Sequence, residues 1–155
     1  MGRSGFSLLE LLVVTAMISM ICVLGILRLG DNLAEYELSA AALELAADLR
    51  WMQQVSVNSP SSAGGAFYLL TFDKGSGAGY LVTAAAKNKK RVQFPASVQL
   101  ANNPLKISFN SNGNPSNAQT IALKSLRLKK TRFVIIAAVT GRVRISEVAT
   151  WEAGE

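Results

Sequence analysis

The stretch GFSLLELLVVTAMISMICVLGIL, residues 5–27, is almost entirely apolar and contains one formal charge, Glu10. A helix over the 22 residues 6–27, at about 1.5 Å rise per residue, is long enough for the roughly 30 Å hydrocarbon core of a bilayer. The carboxylate of Glu10 needs a partner or a route to water there, because a lone charge at the centre of a bilayer costs about 2.5 to 3.5 kcal/mol. The sequence therefore predicts a transmembrane helix over residues 6–27.

A secretory signal peptide is one alternative for this stretch, but residues 28–30 (Arg-Leu-Gly) do not supply the small-residue cleavage site that such a peptide needs. The stretch instead resembles the class III signal of type IV pilins and type II secretion pseudopilins. In that family a short basic leader ends in glycine, phenylalanine usually follows, and glutamate is the fifth residue of the mature chain. Here the leader would be residues 1–5, the first mature residue Phe6, and the fifth Glu10.

The resemblance implies a processing step and an assembly contact. A prepilin peptidase would cut between Gly5 and Phe6 and methylate the new amine, and in a filament the Glu10 carboxylate would pair with the Phe6 amine of a neighbouring subunit. The expected partners are other pilin or pseudopilin subunits, the prepilin peptidase and the inner or cytoplasmic membrane. The expected location is a single pass through that membrane with an extracytoplasmic C-terminal domain, followed by assembly into a cell-surface or periplasmic filament. The alternative is a plain single-pass anchor in which Glu10 reaches the interface.

Residues 28–58 are predicted to continue this helix with an amphipathic half. One apolar stripe recurs at steps of four and three, formed by Leu38, Ala42, Leu45, Leu49, Met52 and Val55. The sequence Asn58-Ser59-Pro60 ends the helix, and a small-residue linker over 59–66 follows. Such a helix needs something packed against its second half.

The remaining residues, 59–155, are predicted to form an antiparallel β domain. Short extended segments are indicated at 67–72, 80–84, 92–100 (broken at Pro95), 105–109, 120–128, 132–139 and 142–148, with turn signals rich in Gly, Asn and Pro between them. The expected fold class is α+β, with a long N-terminal helix packed on one face of an antiparallel sheet. The resemblance implies that this arrangement is pilin-like.

Charge is distributed unevenly along the chain. Residues 1–86 hold four basic and seven acidic residues, whereas residues 87–144 hold twelve basic residues and no acidic one. A domain whose field has one sign attracts polyanions such as nucleic acid, with strong salt dependence. The alternative is a solubilising surface whose acidic counterpart, residues 31–48, lies on the helix of a neighbouring subunit.

The C-terminal half carries a second resemblance, in the segments ISFNSNGNPSNAQTIAL and RFVIIAAVTGRVRIS. They resemble the GspH/FimT group of minor pilins and pseudopilins, which includes the competence pseudopilin ComGD. The matching residues are Phe109, Asn110, Gly113, Pro115 and the run Gly141-Arg142-Val143-Arg144. Where DNA binding has been assigned in that group, the closing Gly-Arg-x-Arg is implicated, so the resemblance makes Arg142 and Arg144 the candidate DNA contacts.

Strand geometry agrees with that assignment. Residues two apart share a face at a spacing of about 6.6 Å, so Arg142 and Arg144 would point one way while Val143 and Ile145 point to the core. Each guanidinium can then grip a phosphate. Two further candidates for the same groove are Lys129 and Lys130. The alternative is that the arginines bridge acidic side chains of this chain or of a neighbouring subunit.

Residue types argue against catalysis. There is no histidine, and the one cysteine, Cys22, lies in the apolar stretch, so the usual zinc sites and the Cys/His and Ser/His/Asp catalytic sets cannot form. The glycines at 75, 77 and 79 lack the lysine of a P-loop and open no helix. The sequence therefore predicts a protein without enzymatic activity.

The expected function is that of a minor pilin or pseudopilin subunit of a type IV pilus-like filament in DNA uptake (competence), with DNA bound through the basic C-terminal strand. Two alternatives stay open. One is a structural minor pseudopilin of a type II secretion system, and the other is a solitary membrane-anchored binding protein with no filament.

Overall fold

The structure is a computed structural model that describes residues 7–58, 68–73, 78–85 and 87–149, with the backbone alone for 24–28. These residues form one long helix and seven strands, so the predicted α+β class and antiparallel pairing are confirmed. The elements are α1 (Leu8–Asn58), β1 (Tyr68–Asp73), β2 (Gly79–Ala84), β3 (Lys87–Gln93), β4 (Val98–Leu100), β5 (Thr120–Ser125), β6 (Thr131–Ile136) and β7 (Val143–Ser146).

The predicted transmembrane helix over 6–27 is wrong, and with it the expected location as a single-pass protein of the cytoplasmic (inner) membrane. Within the described part of the chain, no helix combines the length and the apolar character needed to cross a bilayer.

The chain divides into two compact units, Met1–Leu33 and Ala34–Glu155. We therefore treat α1 as two halves, a first half of residues 8–33 and a second half of residues 34–58. The second half belongs to the same unit as all seven strands.

The predicted apolar stripe on the second half of α1 is confirmed. Leu38, Ala42, Leu45, Leu49 and Met52 are fully buried, and Val55 is half-buried. Their steps of three and four place them on one face of a helix with 3.6 residues per turn. This face forms one wall of the core.

The strands form two antiparallel sheets, β1-β2-β3 and β4-β5-β6-β7, where the sequence led us to expect one. The chain leaves the first sheet after Gln93 and turns at Pro95, whose carbonyl accepts a hydrogen bond from the Val98 amide (2.8 Å). Because proline has no amide hydrogen to donate to a ladder, the predicted segment 92–100 is divided between the sheets.

The predicted segment 105–109 forms no strand among the described residues and contributes isolated bridges instead. Ile107 exchanges two backbone hydrogen bonds with Leu70 of β1 (2.8 and 3.0 Å), and Phe109 bridges to Pro115. Ile107 and Phe109 are nevertheless buried, as the alternation predicted, while Leu105 is exposed. The segment therefore ties the edge of the first sheet to the core without joining a ladder.

One hydrophobic core joins the second half of α1 to both sheets. From the first sheet it takes Leu70, Tyr80 and Val82. From the second sheet it takes Val98, Ile121, Leu123, Val134, Ile136 and Val143. The side of the second sheet that carries these residues is its inner face. The opposite side is its outer face, on which Ala122 and Ile135 are also buried.

Candidate nucleic-acid interface and assembly surface

Glu10, the predicted assembly residue, lies exposed in the first turn of α1. The carbonyl of Ser7 accepts hydrogen bonds from the amides of Glu10 (3.0 Å) and Leu11 (3.2 Å), so Ser7 occupies the N-cap position just before the helix begins at Leu8. Ser7 and Glu10 have the S-x-x-E spacing of a capping box, and a carboxylate in the first turn also complements the helix dipole. The sequence predictions did not include this local role, although the Ser-Leu-Leu-Glu spacing at residues 7–10 indicates it. The predicted cleavage site, Gly5 and Phe6, lies outside the described residues.

In the first half of α1, the described residues 8–23 present apolar side chains in every direction. Its large exposed residues are Leu8, Leu9, Leu11, Leu12, Val13, Val14, Met17, Ile18, Met20, Ile21, Val23, Leu29 and Leu33. Successive residues are about 100° apart around a helix, so such a run leaves no polar face to meet water. A surface of this kind marks a site of association.

The second half of α1 carries a narrower apolar surface opposite the core, which we name the outer stripe. It consists of Tyr36, Ala40, Leu43 and Ala47, spaced four, three and four residues apart. Tyr36 is 71% exposed and Leu43 is 59% exposed. The spacing is that of a helix–helix seam.

Glu35 of α1 pairs with two basic residues near the start of β6 in the same chain. The Lys130 ammonium lies 2.8 Å from the Glu35 carboxylate, and the Arg132 guanidinium lies 3.7 Å from it. Arg132 also pairs with Glu147. The hydrogen bond from Lys130, the positive charge of Lys130 and that of Arg132 lower the pKa of Glu35 below its ordinary value, while desolvation opposes them.

A second group of charges ties α1 to the first sheet. The Lys90 ammonium donates to both oxygens of Asp48 (2.9 and 2.7 Å) and lies 3.1 Å from Glu44. The buried Tyr80 hydroxyl donates to Asp48 at 2.6 Å. Burial opposes the charged form of Lys90, yet its bonds to Asp48 and Glu44 raise its pKa, while burial and then Asp48 raise the pKa of Tyr80. Much of the acidic counterpart that we considered for a neighbouring subunit is thus used within the chain.

The four predicted DNA contacts do not form one cluster. Arg144 lies in β7, and the exposed Arg142 directly precedes that strand. Lys129 and Lys130 lie in the turn between β5 and β6, at the opposite end of β6 from the turn that carries Arg142. A six-residue strand separates the two ends by roughly 17 Å.

The predicted alternation around the arginines is confirmed. Val143 is buried, and Ile145 packs against the core. Arg144 therefore faces the opposite side of the second sheet. Arg142 is exposed, and its carbonyl accepts a hydrogen bond from the Ala137 amide (3.1 Å) across the turn.

The glycines of the resemblance motif have a structural explanation. Gly113 and Gly141 both have positive φ angles (81° and 65°), and a methyl group on Gly141 would overlap the carbonyl oxygen of Gly113. The side-chain amide of Gln53 on α1 donates to the carbonyls of Gly113 (2.8 Å) and Thr140 (3.1 Å). The two motif segments are therefore held together against the helix, which sets the position from which β7 starts.

The Asn110 side chain shapes the first of these segments. Its carbonyl oxygen accepts hydrogen bonds from the amides of Asn112 (3.1 Å) and Asn114 (2.8 Å). Such side-chain-to-backbone bonds are typical of asparagine in turns. The motif asparagine thus builds the turn that brings Gly113 to Gly141.

Two side chains on the outer face of the second sheet were not among the predicted contacts. Lys124 of β5 is exposed and Phe133 of β6 is half-buried. Each is adjacent in sequence to a core residue of its own strand, Leu123 or Val134, so both side chains point away from the core. That alternation could be predicted from the sequence. The strand pairing that brings Lys124, Phe133 and Arg144 to one surface could not.

Comparison of the chain with protein-family models, with curated proteins and with solved structures finds no match. Any assignment of function therefore depends on the residues and geometry described above.

Proposed function

We propose that this chain is a non-catalytic minor pilin or pseudopilin subunit of a type IV pilus-like filament that serves DNA uptake. The observation that carries the proposal is the apolar surface around the whole circumference of the first half of α1. A helix that is apolar on all sides is stable only when it is covered on all sides. Neighbouring copies of such a helix, bundled along a filament axis, provide that cover.

The rest of the fold supports this proposal. The second half of α1 packs on antiparallel sheets, as a pilin-like fold requires, and its outer stripe offers a further seam for helix packing. In the filament, the Glu10 carboxylate pairs with the amine of Phe6 on a neighbouring subunit after a prepilin peptidase has cut after Gly5. The partners of the chain are then other pilin or pseudopilin subunits and the peptidase.

The DNA-uptake part of the proposal rests on Arg142 and Arg144, which lie at the start of the closing strand, with Lys129 exposed at the far end of β6. One observation favours the alternative, a structural minor pseudopilin of type II secretion. Lys130 and Lys90, two of the basic residues, are paired with carboxylates of α1 in the same chain, which reduces the positive field available to a polyanion.

The assembly contact is tested by two substitutions of Glu10 that separate its two roles. Glu10→Gln keeps a residue that is suitable for a capping box but removes the charge, whereas Glu10→Ala removes both. We expect both variants to be poorly incorporated into filaments in the host, measured by cross-linking to the other pilins, because only the charge can pair with the amine. The sheets should fold normally in both.

Normal incorporation of Glu10→Gln together with poor incorporation of Glu10→Ala would assign Glu10 to the helix cap and remove the pairing argument. N-terminal sequencing of the wild-type protein from the host provides an independent test. The chain should begin at Phe6, and a chain that begins at Met1 would contradict both filament proposals.

A further inference from the structure

The outer face of the second sheet presents one aromatic ring between two cations. The residues on this face, from the strand registers, are Gln99, Thr120, Ala122, Lys124, Thr131, Phe133, Ile135, Arg144 and Ser146. Phe133 lies near the centre of this set, with Ala122 of β5 opposite it on one side and Ser146 of β7 on the other. Phe133 is half-buried, whereas Ala122 beside it and Ile135 further along the same face are buried.

Lys124 and Arg144 lie diagonally on either side of this ring. Lys124 of β5 is paired with Thr131, which lies two residues before Phe133 on β6. Arg144 of β7 is paired with Ile135, which lies two residues after Phe133. Lys124 and Arg144 are separated by two inter-strand spacings and by four residues along the strand direction. Their Cα atoms are therefore about 16 Å apart. Both long side chains can therefore reach toward a ligand that crosses Phe133 obliquely.

A concave site continues this diagonal beyond Ile135. A cavity of about 500 Å³ at the end of β6 is lined by residues 118–120 and 135–140. This volume falls within the range of sites that hold small organic ligands. Arg142 follows the last of these lining residues and is exposed.

Given the DNA-uptake role proposed above, we infer that this outer face binds single-stranded DNA, with a base stacked on Phe133 and the flanking phosphates held by Lys124 and Arg144. The cavity beside Ile135 receives a neighbouring base. A positively charged surface that tracks the backbone, combined with an aromatic ring for the bases, is the arrangement by which sheets bind single strands. A duplex cannot use the ring in this way because its bases are already stacked on one another.

The experiment uses the full chain in a non-ionic detergent, which covers the exposed first half of α1. Fluorescence anisotropy would measure binding of a labelled oligothymidylate and of a mixed-sequence duplex of the same length. The wild type should bind the single strand more tightly. Phe133→Leu, which keeps an apolar side chain, should weaken single-strand binding about tenfold and leave duplex binding unchanged, while Phe133→Tyr should stay within about twofold of the wild type.

The charges are tested by the salt dependence of the same titrations. Lys124→Gln and Arg144→Gln should each lower the log–log salt slope for the single strand by about 0.7, and the double variant should lower it by about 1.4. Lys106→Gln is the matched control, because Lys106 is exposed but does not belong to the outer face, and it should leave the slope unchanged. Tyr36→Leu is the aromatic control, since Tyr36 lies on the outer stripe of α1, and it should leave affinity unchanged.

The outcomes separate this inference from the function on which it rests. Equal binding of single strand and duplex, with no effect of Phe133→Leu, would overturn the stacking surface and leave duplex uptake standing. Loss of affinity in both the Leu and the Tyr variants would show a packing role for Phe133 and would also overturn the inference. A wild-type chain that binds neither nucleic acid would remove DNA from the proposed function, while the filament tests at Glu10 would remain decisive for assembly.

Discussion

The two halves of α1 have similar apolar content but use it in opposite ways. In the first half the large apolar residues are exposed on every side, from Leu8 at 82% to Val14 at 44%. In the second half a single face, typified by Leu45 and Leu49, is completely buried against both sheets. The comparison shows that hydrophobicity alone does not decide burial. The second half stabilises the fold of its own chain, whereas the first half leaves its apolar side chains exposed, and the proposed filament is what would cover them.

The largest expected effect tests this division directly. Leu49→Ala should lower the free energy of unfolding of the sheet unit by about 3 kcal/mol, because it removes a fully buried side chain and leaves a cavity between α1 and the sheets. The matched control is Leu12→Ala in the first half, where the side chain is 61% exposed. Denaturant unfolding followed by circular dichroism at β-sheet wavelengths would measure both.

The control should leave this unfolding transition almost unchanged and should instead reduce incorporation into filaments. If Leu12→Ala lowers the free energy of unfolding as much as Leu49→Ala does, the first half contributes to the stability of the sheets and the division is wrong.

A smaller effect is expected at the end of the second half, where Gln53 holds the two glycine turns. Gly141→Ala should cost about 2 kcal/mol, because alanine is strained at φ 65° and its methyl group would meet the backbone of Gly113. Gly113→Ala should cost less, because its new methyl group would meet only the side chains of Val57 and Gln53, which can move. Thermal melting of the two variants provides the comparison. A smaller loss for Gly141→Ala than for Gly113→Ala would contradict this reading of the motif.

The two halves of α1 also differ in how well their structure could be predicted from the sequence. The buried stripe of α1 could be predicted because its period is a local property of the sequence, and five of its six residues are fully buried. The alternation of Val143 and Ile145 was predictable for the same reason. The first half illustrates the limit, because an apolar run is compatible with a bilayer and with a bundle of helices, and the membrane assignment made from it was wrong.

Long-range pairing lies beyond such local patterns. Glu35 and Lys130 are far apart in sequence, and nothing in either segment indicates that they form an ion pair. The division into two sheets likewise depends on which strands meet, although Pro95 marks where the division falls. The candidate site was therefore predicted in part, with Arg144 placed on the outer face and Phe133 overlooked.

The smallest expected effect concerns Glu35, at the beginning of the second half of α1. Glu35 lies next to Ala34, the first residue of the unit that contains the sheets, and it pairs with Lys130 and Arg132. Glu35→Gln should slightly lower the melting temperature near neutral pH, because the pair is exposed and such pairs contribute little. The double variant Glu35→Gln with Lys130→Gln should melt close to the single variant if the pair accounts for the effect.

The pH dependence of this difference gives the sharper test. The pKa of Glu35 is lowered from its ordinary value of 4.5, first by the hydrogen bond from Lys130 and then by the charge of Lys130. A carboxyl group whose pKa is lower in the folded chain than in the unfolded chain stabilises the fold above the unfolded value, and this contribution is lost as the pH falls through the folded value. The melting temperatures of wild type and Glu35→Gln should therefore differ above about pH 5 and converge as the pH falls through the lowered pKa of Glu35, with added salt reducing the difference. A difference that persists unchanged at acid pH would mean that Glu35 stabilises the fold through packing and not through its ion pair with Lys130.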